Sequence, residues 1–404
     1  MKKKIMETEN KKIFCEKKFS LFCSVLSQAK FGSIEILYKE KKIFSFVGIY
    51  NGPASVISIN DFKCVDSFFL KGDLGWAESY INNLWETNEL SVFLEWGAKN
   101  FHDFTDYIRG KWYIILFLRI KHFLNSNSKS GSIKNIKFHY DLGNNFYDKW
   151  LDKSMTYSSA IFKTQTQKLF DAQVNKFENL SQLCSIKEND EVLEVGCGWG
   201  SFSLFLAKNK GANVTAITIS PKQYEVVRKN VFEQGLNDKI RINLVDYRDV
   251  KGKFDKIVSI EMFEAVGEKY WSTYFKVLRE NLKNSGKIGL QTITIKDSYF
   301  GSYRKFPDFI QTYIFPGGML PSVNELDKTV SLSGMKILEK NLFGDHYAKT
   351  IVEWKKSFED SWEEIKNIGF DLSFKRLWHY YLSYCEGGFR SGNINVGQFL
   401  IGKE

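Results

Sequence analysis

The run Glu191-Val192-Leu193-Glu194-Val195-Gly196-Cys197-Gly198-Trp199-Gly200 decides how this chain is read. A mostly apolar stretch breaks into alternating glycines just where a helical segment, Ser201 to Lys208, begins. The pattern predicts a strand, a tight loop and a helix. Glycines at 196, 198 and 200 let the backbone pass close to a ligand without a Cβ clash, and the helix N-terminus offers free N–H groups. Such a turn cradles a nucleoside. A dinucleotide fingerprint, Gly-x-Gly-x-x-Gly, is excluded because Ser201 stands where its third glycine belongs, and the Gly-Lys-Ser/Thr of a phosphate loop is also absent.

Working outward, the segments from Leu169 onward alternate between helical and strand periodicity. Helix 169–183 leads to strand 191–195, helix 201–208 to strand 213–217, and helix 221–234, with Pro221 in its first turn, to strand 240–245. Strand 254–260, helix 270–282 and strand 286–295 complete five β/α steps. Such alternation predicts a parallel, doubly wound sheet with its ligands at the C-terminal strand ends. In that setting the Glu-x-Gly-x-Gly-x-Gly loop is typical of S-adenosylmethionine (SAM) methyltransferases. The expected fold class is α/β, a Rossmann-like methyltransferase domain preceded by a small α+β domain.

At 404 residues the chain suits two domains, and 43% hydrophobic with 16% aromatic content excludes general disorder. The polar stretch 125–132 marks a linker, placing a first domain at 1–124, a linker at 125–135 and the methyltransferase domain at 136–404. Before the linker, 34–38 and 54–59 alternate like strands, with Asn51-Gly52-Pro53 as a turn between them. Residues 76–85, 90–96 and 112–124 have helical spacing. Residues 296–330 interrupt the β/α pattern with Tyr299, Phe300, Tyr303, Phe306, Phe309, Tyr313 and Phe315, an aromatic insertion expected to form a lid over an apolar pocket. The last part, 348–364 and 374–384, is expected to be helical.

Lys+Arg 57 against Asp+Glu 47 gives a net charge of +10, and residues 1–50 alone hold 11 lysines against 5 glutamates. A basic surface favours phosphate-bearing partners, nucleic acid or an anionic membrane. No Asn-Pro-Pro-Tyr-like or RNA-binding stretch supports nucleic acid. Six cysteines, at 15, 23, 64, 184, 197 and 385, lack metal-ligand spacing and fit a reduced cytoplasmic protein without a metal. The N-terminus lacks the apolar core of a signal peptide, and the longest apolar run, 112–118, is too short to span a membrane. Peripheral attachment at the inner membrane face is expected.

Several separated stretches resemble one family, the cyclopropane-fatty-acid synthases and related SAM-dependent fatty-acyl methyltransferases. They are His139-Tyr140-Asp141-Leu142-Gly143-Asn144, the glycine loop, Thr218-Ile219-Ser220-Pro221-Lys222-Gln223, Asp246-Tyr247-Arg248-Asp249, Glu261-Met262-Phe263-Glu264-Ala265-Val266-Gly267, Tyr313-Ile314-Phe315-Pro316-Gly317-Gly318 and Tyr384-Cys385-Glu386-Gly387-Gly388-Phe389-Arg390. The resemblance runs from about residue 70 to the C-terminus. It implies methyl transfer to a cis double bond of a phospholipid acyl chain, proton removal by a bound bicarbonate, and ring closure. By the same resemblance Tyr157, Ser158, Gly196, Cys197, Gly198, Gly200, Thr218, Gln223 and Tyr247 line the SAM site. Glu264, Tyr347 and the backbone of Ser159 hold bicarbonate, and Cys385 matches a cysteine proposed as catalytic. The N-terminal module would dock on lipid and mediate a homodimer.

The residue types suit that chemistry independently. An alkene is a poor nucleophile and must be held in line with the sulfonium methyl in a dry pocket. Aromatic faces, with Tyr157, Phe263, Tyr303 and Tyr347 as candidates, would stabilise a cation by about 1–2 kcal/mol each when desolvated. Gln291 stands where many bacterial members carry a histidine. It can donate to bicarbonate but cannot shuttle a proton. The apolar surroundings of Cys385 raise a thiol pKa and favour a structural role as much as a nucleophilic one. Competing readings are methyl or methylene branching of the same cation, N-methylation of a small amine, a non-catalytic lipid-binding protein and a nucleic-acid methyltransferase.

Overall fold

A computed structural model describes residues 16–108, 113, 127–129, 131, 132 and 142–404. The expected 112–124 helix apart from Tyr113, most of the linker and His139 to Asp141 lie outside the described residues. The chain forms two compact units. One consists of Met1–Lys121 with Lys305–Thr312 and Phe370–Asn393, the other of His122–Arg304 with Tyr313–Gly369 and Ile394–Glu404. The first unit thus takes back two segments that linear reading assigns to the methyltransferase domain.

In the first unit, β1 (Phe31–Tyr38) and β2 (Lys41–Val47) form a hairpin whose loop residues, Lys39 and Glu40, have φ of 49° and 64°. Two positive φ values make a tight turn that matches the right-handed twist of the strands. Strand β3 (Tyr50–Ile59) pairs parallel with β1, and the short β4 (Trp85–Glu86) completes the order β2-β1-β3-β4. The turn expected at Asn51-Gly52-Pro53 is instead part of β3. Its register against β1 shifts between Phe31 and Ser33, where Gly32 has φ +69° and a Cβ would meet the Pro53 carbonyl. Pro53 is tolerated because β4 pairs only with Ser58 and Ile59. Trp76, Trp85, Phe93 and Trp96 fill the core, with Trp76 stacked on Trp85 at 4.7 Å between ring centres.

The second unit holds a seven-stranded sheet. Strands β5 (Glu191–Val195), β6 (Asn213–Thr218), β7 (Ile240–Leu244), β8 (Phe254–Ile260) and β9 (Leu282–Ile295) are parallel, as the periodicity predicts. Two antiparallel strands, β10 (Met335–Leu342) and β11 (Ile394–Lys403), extend it to the order β10-β11-β9-β8-β5-β6-β7. The chain leaves β5 for β6 on one side and later returns to β8 on the other. That switch opens a crevice beyond the end of β5, where the glycine loop sits.

The helices follow the sequence pattern closely, at Leu169–Leu183, Pro221–Glu233 and Trp271–Asn281. The helix expected over 201–208 is an α-helix at Ser201–Phe205 and widens into a π turn at Leu206–Lys210, closed by Gly211 at φ +66°. The aromatic insertion is divided between the units. Phe300, on the helix Asp297–Tyr303, packs 6.3 Å from Trp271 in the second unit. Phe309 packs 4.8 Å from Tyr380 in the first. Both are buried and serve as core.

Candidate active site

The glycine loop turns as its composition requires. Gly196, Gly198 and Gly200 have φ of +78°, +54° and +88°, a region costly to residues with a Cβ. The N–H groups of Gly196 and Cys197 both donate to the Ile217 carbonyl, at 3.1 and 3.0 Å, anchoring the turn on β6. At Gly196 a Cβ would fall 2.6 Å from Met262 Cγ and at Gly200 2.9 Å from Val227 Cγ1, whereas Gly198 faces open space. Two glycines are needed for packing, and the third leaves the loop's rim clear. The Cys197 side chain is buried, and its thiol is raised well above its ordinary pKa by burial.

The neighbouring strand ends bring up the other residues expected around SAM. Thr218, closing β6, donates from Oγ1 to Gln223 Oε1 at 2.9 Å and accepts from the Ser220 N–H at 3.1 Å. Ser220 caps the helix Pro221–Glu233 by accepting from the Gln223 N–H. Tyr247 follows β7 in a single 3₁₀ turn capped by Asp246, with its ring 5.3 Å from Tyr274. The Arg248 guanidinium clamps Asp246 through two bonds of 2.7 Å. Tyr157 lies against Tyr147, Trp150 and Trp354 at 5.4, 5.5 and 5.3 Å. Ser158 Oγ accepts from the fully buried Lys176 ammonium at 2.6 Å.

Beyond β8 the structure assembles a second constellation around Glu261, a residue that the sequence reading quotes but gives no role. Its Oε1 accepts from the Ser159 N–H at 2.9 Å and from Gln291 Nε2 at 2.8 Å. Its Oε2 accepts from the Tyr347 hydroxyl at 2.6 Å. The Gln291 amide is oriented by Gln398, whose Nε2 donates to Gln291 Oε1 at 3.0 Å, and the antiparallel register sets the two residues opposite each other. Glu261 has φ +51°, a left-handed conformation that costs a side-chain-bearing residue roughly 1–2 kcal/mol. Burial raises its carboxyl pKa, opposed by the Tyr347 hydroxyl, the Lys176 charge and the other donors. The one signal in sequence was a second carboxylate three residues before Glu264.

Ser159, Gln291 and Tyr347 are thus brought together, and the carboxylate at their centre is Glu261. Glu264 stands beside them with a different set of partners. Its Oε1 accepts from the Ile293 N–H at 2.5 Å and from Thr292 Oγ1 at 3.0 Å, while the buried Oε2 has no hydrogen-bond partner among the described residues. Bicarbonate, the anion the family resemblance implies, does not fit this arrangement. The three donors it would need already hold the Glu261 carboxylate, and a further anion would face that charge. Cys385 lies in the first unit on the helix Leu372–Arg390, where burial and the nearby Asp308 carboxylate drive its thiol pKa up. Phe263 is completely buried among Trp271, Tyr274 and Phe275.

Burial and the neighbouring Glu261 charge push the Glu264 carboxyl up to about 8. A carboxyl pKa raised above its unfolded value stabilises the fold at acid pH, and the benefit fades as pH rises through the folded value. Glu264→Gln should therefore flatten the fall in melting temperature between about pH 4.5 and 8, a term on the order of a few kcal/mol. Parallel melting-temperature profiles of wild type and variant check this. Superimposable slopes would show that Glu264 does not titrate in that window.

The model of the mycolic acid cyclopropane synthetase family matches residues 127–399. The cyclopropane-fatty-acyl-phospholipid synthase of Escherichia coli K12 is 35% identical over 339 residues, covering 82% of this chain and 84% of its own. The tuberculostearic acid methyltransferase UfaA1 of Mycobacterium tuberculosis is 33% identical over 352 residues, covering 82% and 79%. Among solved structures, the mycolic acid cyclopropane synthase CmaA1 complexed with SAH and CTAB aligns at a TM-score of 0.63 and 29% identity, over 67% of this chain and 98% of that one. The parallel sheet, the glycine loop beyond β5 and these similarities together place the chain in the cyclopropane synthase family of SAM-dependent methyltransferases.

Proposed function

We propose that this protein methylates a cis double bond in a phospholipid acyl chain and closes a cyclopropane ring, working as a peripheral protein on the cytoplasmic side of an anionic membrane. The observation that carries the reading is the juxtaposition of the two constellations. Met262, next to Glu261, packs against Gly196 of the glycine loop, so a buried carboxylate stands beside the proposed methyl-donor site. SAM supplies an electrophilic methyl group. The chain's residues have the remaining tasks: the glycine loop, Thr218, Gln223 and Tyr247 hold the donor, and Tyr157 and Tyr347 present aromatic faces to positive charge. Each such face is worth about 1–2 kcal/mol when desolvated. Trp354 braces both tyrosines, at 5.3 and 5.9 Å.

The relatives' names, a cyclopropane-fatty-acyl-phospholipid synthase and a tuberculostearic acid methyltransferase, support a fatty-acyl substrate and span ring formation and methyl transfer. The +10 net charge supports an anionic surface. Among the described residues no helix is long and apolar enough to cross a membrane, in keeping with peripheral attachment. The decisive experiment incubates the protein with SAM and vesicles of an unsaturated anionic phospholipid and analyses the acyl chains by mass spectrometry. The expected product gains a CH2 unit and retains it as a ring after mild hydrogenation. A methyl or methylene branch would favour the alternative fate of the same cation, and unchanged lipid would refute alkene methylation.

A further inference from the structure

We propose that Glu261 is the resident base of this active site, a carboxylate from the chain standing where a bound bicarbonate would otherwise act, so that turnover does not depend on bicarbonate. The inference rests on the proposed alkene methylation and names the proton acceptor for it. A carboxylate and a bicarbonate present the same planar O–C–O edge. Here that edge is met by the Ser159 N–H and Gln291 on one oxygen and the Tyr347 hydroxyl on the other.

Three further features fit. The strained φ of +51° shows that the backbone accepts an unfavourable conformation to place this side chain, as functional residues often require. Gln291, locked by Gln398, can donate to an anion but cannot relay a proton, so the proton must leave through the carboxylate. Glu264 is engaged by its own donors, Thr292 and the Ile293 N–H, which leaves Glu261 as the carboxylate that meets Ser159, Gln291 and Tyr347. The titratable groups facing Glu261 are Glu264 and Lys176, the latter fully buried and engaged with Ser158.

The step balances. Once the alkene has taken the methyl group, its cation loses a proton from that methyl to a Glu261 oxygen. The C–H bond breaks and its electron pair forms the third C–C bond of the ring. Glu261 becomes a neutral carboxylic acid and returns its proton to solvent before the next turnover.

Glu261→Gly is the informative variant, because glycine adopts φ +51° freely and leaves an anion-sized cavity lined by intact donors. Turnover is measured on unsaturated phospholipid vesicles in CO2-depleted buffer with and without added bicarbonate. Wild type should turn over equally in both. Glu261→Gly should fall by at least about 100-fold in depleted buffer and recover about tenfold or more with bicarbonate, within the range that loss of a positioned base implies. Its melting temperature should also rise with bicarbonate, whereas that of wild type should not move. Glu261→Gln, near in shape but without basicity, should stay inactive in both buffers while binding SAM calorimetrically like wild type. Wild-type product that vanishes without bicarbonate overturns the inference and leaves alkene methylation standing. A fully active Glu261→Gly or Glu261→Gln does the same, and no lipid product in any condition overturns both.

Discussion

Gly196→Ala should weaken SAM binding by about 100-fold or more, equivalent to roughly 2.7 kcal/mol. Two separate penalties produce the effect. The φ of +78° disfavours any residue with a Cβ, by about 1–2 kcal/mol. The new methyl would also lie 2.6 Å from Met262 Cγ and 2.9 Å from Met262 Cβ. Those atoms belong to the stem of a side chain whose backbone is tied to the turn after β8, so the glycine loop must yield instead. Its two bonds to the Ile217 carbonyl would be stretched, and the surface offered to the donor would move. Titration calorimetry with SAM measures the loss, and circular dichroism checks that the fold persists. A variant with native fold and native affinity would show that this loop is not the SAM site.

The second large effect concerns the aromatic wall. Trp354→Ala should lower unfolding free energy by about 3–5 kcal/mol, the usual cost of truncating a buried tryptophan. Trp354 is about 1% exposed and touches Trp150, Tyr157 and Tyr347, so its loss opens a cavity between helix Gly344–Asp360 and the loop carrying Tyr157. Denaturant unfolding monitored by far-ultraviolet circular dichroism gives the stability change. Under the proposed reaction, turnover should fall further than SAM affinity, because the ring braces Tyr157 and Tyr347, the two tyrosines proposed to face the substrate cation. A loss under 1 kcal/mol would mean that the cluster repacks freely.

The parallel core was legible because its signals are local. The alternation of 3.6- and 2-residue periodicity gave Leu169–Leu183, Glu191–Val195 and Phe254–Ile260 at their observed limits. Strands β10 and β11 were missed because β10 is mostly exposed and lacks an apolar alternation, and because antiparallel pairing at a sheet edge depends on partners far along the chain. The Asn51-Gly52-Pro53 turn was misplaced for a related reason. Turn-forming residues also suit a strand irregularity, and the choice was made by the approach of Gly32 from β1.

The candidate site was legible in part. Ser159, Gln291 and Tyr347 converge although they lie on a loop, a strand and a helix separated by as many as 188 positions in sequence. The carboxylate that joins them could not be chosen from Glu261-Met262-Phe263-Glu264 alone. The two glutamates are three residues apart, and the left-handed turn at Glu261 decides which one faces the donors.

By itself the sequence determined the glycine loop of the candidate site: a strand ending in Gly196, Gly198 and Gly200 turns through positive φ, because the requirement is backbone conformation and glycine meets it locally. Only the tertiary structure decided which carboxylate meets the polar donors. Hydrogen-bond donors at 159, 291 and 347 acquire a common acceptor through strand register and helix packing, and the sign of one φ angle hands that position to Glu261 instead of Glu264.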